Sequence, residues 1–332
     1  MPVKVIVFSR DRAMQLDAVL HSFYLHCSDA DSVDVHVLYL ATDDRHNRQY
    51  QSLASTYPDV VFTLQKKFRW DLLVITNPYE KGSWREYIYF TLCAIGNIGI
   101  STKSLVNRIW KRTMSYFQMR LIQDLSPSLG NDSYILFLVD DNIFVRDFQL
   151  CDSVEALNRY PKLLGSSLRL GANTVFCYPH NRSQKVPEFI KVNDNLVMYD
   201  WTQSEYDFGY PLEVSSSIYR LRDILRFIMA LRFNNPNRLE EQMSSHASVF
   251  RSKYPLLCCY HYSVTFCNPV NKVQTIIPNR AGEQYRYELE DLTNRFDNGE
   301  RIKVDAYKDF MPNGCHQEVE FVFESSPLNI MQ

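Results

Sequence analysis

The sequence predicts an α/β fold: a mostly parallel central sheet with helices on both faces, joined to a smaller second sheet or lobe. Three observations lead there. Apolar runs of strand length alternate with segments of helical periodicity from the first residues onward. One run, Tyr134–Val139 (YILFLV), is continuously apolar, as a strand buried on both faces must be. Asp140 and Asp141 follow it directly, at the carboxyl end where open α/β sheets bind their ligands.

Residues 3–8 (VKVIVF) read as the first strand, and Ser9-Arg10-Asp11-Arg12 as the loop leaving it. A helix follows, because Ala13, Leu16, Val19, Leu20 and Phe23 recur at helical spacing, with Asp11 as N-cap and Gln15 outward. Residues 33–40 form a second strand, 45–56 a helix and 60–64 a third strand. The aromatic and charged stretch 66–103 reads as helical or loop-like material, and 104–125 as a longer helix whose Arg108, Lys111, Arg112 and Arg120 form a solvated face. Further strands are expected at 163–170 and 192–199, as an antiparallel pair across the 178–188 loop. A helix over 220–232 precedes Asn237, which caps a helix whose first turn holds Glu240 and Glu241. Residues 256–266 read as one strand containing a core histidine, His261. A helix at 287–296 stops at Asn298-Gly299, and short strands lie near 302–304 and 319–323.

Composition narrows the function. At 332 residues the chain exceeds one compact core, which suggests a first half, 1–150, and a second half, 151–332, packed closely together. Hydrophobic residues are 45% and charged residues 22%, with a net charge of −2, so bulk charge points to neither nucleic acid nor a membrane surface. Eight cysteines without CxxC spacing favour reduced thiols over a disulfide framework or a zinc site. No signal peptide or membrane span is visible, and a cytoplasmic location is expected. There is no glycine before Gly82, which excludes a Walker loop, a GxGxxG fingerprint and the glycine-rich loop of nucleotidyltransferases from the first strand–loop–helix unit.

Asp140 and Asp141 would repel each other unless a cation lies between them and an anionic ligand; Mg2+ or Mn2+ completed by substrate phosphates suits such a pair. The alternative is that they cap a turn. The segments VIVFSRDRAMQLDAVLHSF and LFLVDDNIFVRDF resemble the two signature segments of GT-A glycosyltransferases. The second is similar to the acidic, DxD-type motif of inverting N-acetylglucosaminyltransferases, with Val139 where that motif has its first acid and Asp147-Phe148 as the following pair. This resemblance implies a Rossmann-like GT-A sheet, a nucleoside-diphosphate sugar donor with a UDP-sugar as first choice, and a glycan or lipid-linked sugar as acceptor. It implies Asp141 as ligand of Mn2+ or Mg2+, His316 as a second ligand, and Asp140 near the ribose or the second metal position. Ser9, Arg10 and Asp11 would line the base and ribose pocket, with Glu240 as general base, preferred over Glu241 because it follows the turn more closely. Trp201, Tyr206 and Asp207 either meet the acceptor or serve as packing and a turn acid. The competing functions are a retaining transferase and a sugar-nucleotide or glycan-binding protein that has lost catalysis.

Overall fold

The structure, a computed structural model, describes residues 3–77, 133–272 and 280–325. The helix expected at 104–125, and the part of the 66–103 stretch beyond residue 77, lie outside the described residues. Strand β1 (Val3–Arg10) is followed by α1 (Ala13–His26), β2 (Asp34–Leu40), α2 (Asp44–Thr56), β3 (Val61–Leu64) and α3 (Phe68–Ile75). Strand β4 (Tyr134–Val139) lies beside β1, and the order β3-β2-β1-β4 is parallel throughout.

Side chains alternate across these strands as the pleat requires. Val3, Val5 and Val7 of β1 and Leu136 and Leu138 of β4 join one core with α1 and with Tyr50 and Leu53 of α2. Ile6, Phe8, Ile135 and Phe137 join the other, with Phe68, Leu72 and Leu73 of α3. The sheet is therefore covered on both faces, as the apolar run predicted. Phe137 is fully buried, and Phe137→Ala would cost about 3–5 kcal/mol.

The second half contributes β5 (Asn142–Phe144), α4 (Leu150–Arg159), β6 (Leu163–Ser167), β7 (Phe176–Cys177), β8 (Arg182–Ser183), β9 (Ile190–Lys191) and β10 (Leu196–Asp200). After these come β11 (Ser217–Arg220), α5 (Leu221–Ala230), α6 (Pro236–Ser245), β12 (Leu256–Tyr260), β13 (Thr265–Cys267), α7 (Leu289–Asp297), β14 (Glu300–Ile302) and β15 (Phe323–Ser325). The sheet continues from β4 as β11-β6-β12-β10-β9. Here it is mixed: β11 runs antiparallel to β4 and β6, β6 pairs parallel with β12, and β10 is antiparallel to its neighbours. In place of one smaller sheet there are three short pairs, β5 with β13, β14 with β15 and β7 with β8.

Several expectations are corrected. Asp11 does not cap α1: Arg12 occupies the N-cap position without a side-chain cap, while the Asp11 carboxylate accepts from the Thr42 amide at 2.8 Å. Gln15 faces inward, only 3% exposed, because α1 is covered on its outer side by later parts of the chain. β6 and β10 do not pair, since β12 inserts between them. Residues 256–266 form two strands, separated by the exposed His261 and Tyr262, so His261 is no core histidine. Helix α6 starts two residues earlier than Asn237 suggested. Asn235 caps it through the Arg238 amide at 2.9 Å and Pro236 takes the first turn, where its missing N–H costs nothing, leaving Glu240 and Glu241 beyond that turn.

Candidate active site

The loop after β1 and the end of β4 meet at the carboxyl edge of the parallel half. Asp140 is 6% exposed, and both of its oxygens are engaged. The Arg10 amide donates to Oδ2 and Arg12 Nη1 to Oδ1, each at 3.0 Å. The other Arg12 nitrogen, Nη2, donates to the Asn271 carbonyl at 2.7 Å. Burial works against the Arg12 charge, and Asp140 and Asp141 more than offset it, so its pKa is raised. Behind this pair, Tyr50 stacks on Tyr39 at 4.3 Å and shares a 2.7 Å hydrogen bond with Ser9 Oγ, which buries Ser9 rather than offering it to a ligand. Asp11 sits in the left-handed region at φ 55°, a strained position that turns the chain sharply out of the strand. The Arg10 side chain, 47% exposed, stays free at the rim apart from a 3.5 Å contact to Asp11.

Asp141 is held differently. Its carbonyl accepts from the Asn268 amide at 2.8 Å, but its side-chain Oδ1 is buried with no hydrogen-bond partner, and burial raises its pKa. The β5–β13 register sets Asn142 against Cys267, and Cys267 in turn bridges to His316. The loop carrying His316 lies close against β7: a Cβ on Gly314 would stand 2.3 Å from the Phe176 carbonyl oxygen. His316 Nδ1 is also buried and partnerless, while Nε2 faces Arg169 Nη1 at 3.4 Å. Burial first, and Arg169 second, push its pKa down to about 3, so the ring is neutral.

Arg169 and Glu213 were not foreseen from the sequence, and Arg169 links the rest. It is 6% exposed, pairs with Glu213 at 3.4 Å, and lies in the field of Asp141, Asp207 and Glu240. Glu213 accepts from the Ser215 and Ser216 amides and from Ser217 Oγ. Glu240 Oε2 takes the preceding amide, Val214, at 3.1 Å. Burial raises the Glu240 pKa, with Arg169 opposing and Glu213 adding to the shift. The signals were present: Arg169 stands just beyond a buried strand, as Asp140 does, and Glu213 precedes three serines able to fold back on it.

Apart from Asp207, which lies in the field of Arg169, the other expected residues fall elsewhere. Trp201 is buried and donates Nε1 to the Tyr254 carbonyl at 2.7 Å, a packing role. Tyr206 has φ 50°, and Asp207 accepts from Gln184 at 3.0 Å. Glu241 pairs with Arg238 at the surface. Asp147 pairs with His26 at 2.8 Å and Phe148 stacks on Phe144 at 5.1 Å, so that pair supports α1 away from the carboxylates.

One oxygen of Asp141 lacks a protein partner and suits a divalent ion taking its remaining ligands from phosphate and water; His316 Nδ1 lacks one too, but with Nε2 accepting from Arg169 the neutral ring carries its proton on Nδ1 and must turn over to offer a lone pair. Among the described residues no group of three His, Cys, Asp or Glu is arranged to hold a metal by itself.

No family model matches the chain. It is 22% identical over 333 residues to the bifunctional glycosyltransferase pgtA of Dictyostelium discoideum, across 92% of this chain and 37% of that protein. The chain is similar to part of a glycosyltransferase. It spans little more than a third of that relative's length. Among solved structures, the mannosyltransferase PcManGT from Pyrobaculum calidifontis, in complex with GDP-Man and Mn2+, has TM-score 0.35 and 11% identity, covering 77% of this chain and 56% of its own. S. aureus TarS 1-349 in complex with UDP has TM-score 0.39 and 13% identity, covering 78% and 57%. Mouse xyloside xylosyltransferase 1 has TM-score 0.33 and 9% identity, covering 84% and 100%. These are distant likenesses and assign no residue a role. Among the described residues no helix is long and apolar enough to cross a membrane.

Proposed function

We propose that this chain is a metal-dependent GT-A glycosyltransferase moving a hexosyl or N-acetylhexosaminyl group from a nucleoside-diphosphate sugar to a hydroxyl acceptor, with inversion. The observation that carries this reading is a buried carboxylate oxygen without a protein partner, Asp141 Oδ1, together with a carboxylate of raised pKa, Glu240, both acids lying in the field of the buried Arg169. The sequence likeness to a glycosyltransferase supports it.

In this reading Asp141 and His316 hold Mn2+ or Mg2+, which when bound stabilises the charge growing on the leaving diphosphate. Asp140 fixes Arg12 and the Arg10 amide beside the ribose, and the exposed Arg10 side chain with Asp11 shapes the base pocket; Ser9 supports that pocket from behind. Glu240 takes the proton of the acceptor hydroxyl, a task that a raised carboxylate pKa suits. The first half of the chain serves the donor, with a UDP-sugar as first choice, and the second half a glycan or lipid-linked sugar. Seven free thiols among the described residues agree with a reducing, cytoplasmic compartment.

The test is thermal unfolding against UDP, GDP, CDP, dTDP and CMP, each with and without Mn2+. One nucleoside diphosphate should raise the unfolding temperature only with Mn2+, with a gain of about 2.7 kcal/mol at a hundred times its dissociation constant. No shift in folded protein would remove the reading. Mn2+-dependent binding without turnover on any sugar donor would favour a sugar-nucleotide-binding protein.

A further inference from the structure

Glu240 is met by one short segment of the connection from β10 to β11, and that segment is fixed on both sides of Tyr210. Before it, the Gly209 amide donates to the carbonyls of Glu205 and Tyr206, each at 3.1 Å, in a turn so tight that a Cβ on Gly209 would stand 2.5 Å from the Ser204 carbonyl oxygen. After it, the buried Tyr219 hydroxyl on β11 reaches the carbonyls of Pro211 at 3.0 Å and Glu213 at 2.9 Å, and Leu212 and Val214 are buried. The chain from Gly209 to Val214 therefore has little freedom, and it touches α6 twice. The Val214 amide donates to Glu240 Oε2 at 3.1 Å. The Tyr210 hydroxyl hydrogen-bonds both Glu240 and Ser244, which lie four residues apart on α6 and so share one face. Ser244 donates to the tyrosine oxygen and the tyrosine proton goes to the carboxylate. Tyr210 keeps that proton, because burial first and the Glu240 charge second hold its pKa above the ordinary tyrosine value.

We propose that Tyr210 is a positioning residue for Glu240: its hydroxyl, backed by Ser244, works with the Val214 amide to hold the carboxylate in one orientation for proton transfer. A general base must present its lone pair in a fixed direction at the acceptor hydroxyl. A carboxylate held by one amide can still turn about its side-chain bonds, and a second donor from another part of the segment removes that freedom. Four groups face Glu240, and they act in two ways. Arg169 and Glu213 act through charge and oppose each other, whereas the Val214 amide and Tyr210 act through hydrogen bonds that favour the charged carboxylate. The role in proton transfer rests on the reading of Glu240 as the base; the contact itself does not.

The test follows the Glu240 carboxyl carbon by NMR across pH in protein carrying isotope-labelled glutamate, its signal identified by its loss in Glu240→Gln, beside the pH dependence of kcat. Tyr210→Phe keeps the ring and removes the hydroxyl. The Glu240 midpoint should rise by about one pH unit, because a donor to the charged form is lost. The acid limb of the kcat profile should rise with it, by about tenfold in kcat on its falling side, with KM for the sugar donor unchanged. Ser244→Ala, which leaves Tyr210 in place, should move both in the same direction by less. An unmoved midpoint in folded Tyr210→Phe overturns the proposal, and so does a fall in kcat with an unmoved acid limb, the result of a purely structural role. If Tyr210→Phe does not fold, an unmoved midpoint in Ser244→Ala overturns it. A midpoint that rises in protein without turnover on any sugar donor upholds the contact and fails the proposed reaction instead.

Discussion

Each half of the candidate site holds two neighbouring acids, and in each half the two are treated differently. In the parallel half Asp140 has both oxygens bound by Arg12 and the Arg10 amide, whereas Asp141 keeps an oxygen without a protein partner. In the mixed half Glu213 is surrounded by two amides, Ser217 and Arg169, whereas Glu240 is held by the Val214 amide and the Tyr210 side chain and stays partly exposed. One acid of each pair is fully bonded within the framework, and its neighbour is the one that the proposed reaction uses. A fully bonded buried carboxylate is anchored in place, while a partly bonded one of raised pKa is poised to exchange partners.

That contrast can be broken experimentally. The open acids should matter for function far more than for folding. Glu240→Gln should lower turnover by about a hundredfold to ten-thousandfold with nucleotide binding unchanged, measured by steady-state kinetics beside binding. Retained turnover would remove Glu240 as base. Because burial raises the Glu240 pKa above the ordinary 4.5, the folded state binds that proton more tightly than the unfolded one. The charged form then costs stability above the raised value, and the cost fades as pH falls through it. Glu240→Gln should therefore raise the unfolding temperature at neutral and alkaline pH, and the acid limb of the wild-type pH–rate profile should lie above the usual glutamate range.

Asp141→Asn should weaken Mn2+-dependent nucleotide binding by about a hundredfold, since a ligand and not its outer partner is changed. The framework acid should behave in the opposite sense. Glu213→Gln leaves Arg169 buried without its anion, and should cost about 3–5 kcal/mol in denaturant unfolding. The smallest effect expected is from His316→Gln, about tenfold in Mn2+ affinity with little change in stability, because the charge of the site is unchanged and the glutamine oxygen can still face the ion. If Glu213→Gln proved silent in stability, the division into framework and open acids would not hold.

The parallel half was legible because its signals are local. Continuous apolar runs ending in polar loops placed β1, β2, β3 and β4 to within about two residues, and the aspartates at the end of β4 followed from the same rule. The mixed half depends on contacts distant in sequence. That β12 inserts between β6 and β10 cannot be read from either strand, and the break after Tyr260 shows only once His261 and Tyr262 are seen to face outward. Gln15 was misread for a related reason: helical periodicity marks one apolar face, while the opposite face of α1 is covered by Asn271 and by β14, far along the chain. Arg169 and Glu213 were hidden because a buried ion pair looks, residue by residue, like two surface charges.

The clasp between α2 and α7 bears on how the molecule is made. Arg45 donates to Asp297, Glu290 and Asn294, partners 245 to 252 residues later, and Gln49 reaches Thr293 and Asp297. Closing loops of that length is slow and is rewarded only at the end. At ordinary rates of synthesis α2 waits roughly ten to fifty seconds on the ribosome before α7 exists. During that interval β1, β2 and β4 can pair, but the outer face of α1, with Gln15 on it, remains uncovered. The nascent chain is thus a natural client for a chaperone over that face, and a stalled ribosome would release a sheet that carries its aspartates but has neither His316 nor the clasp.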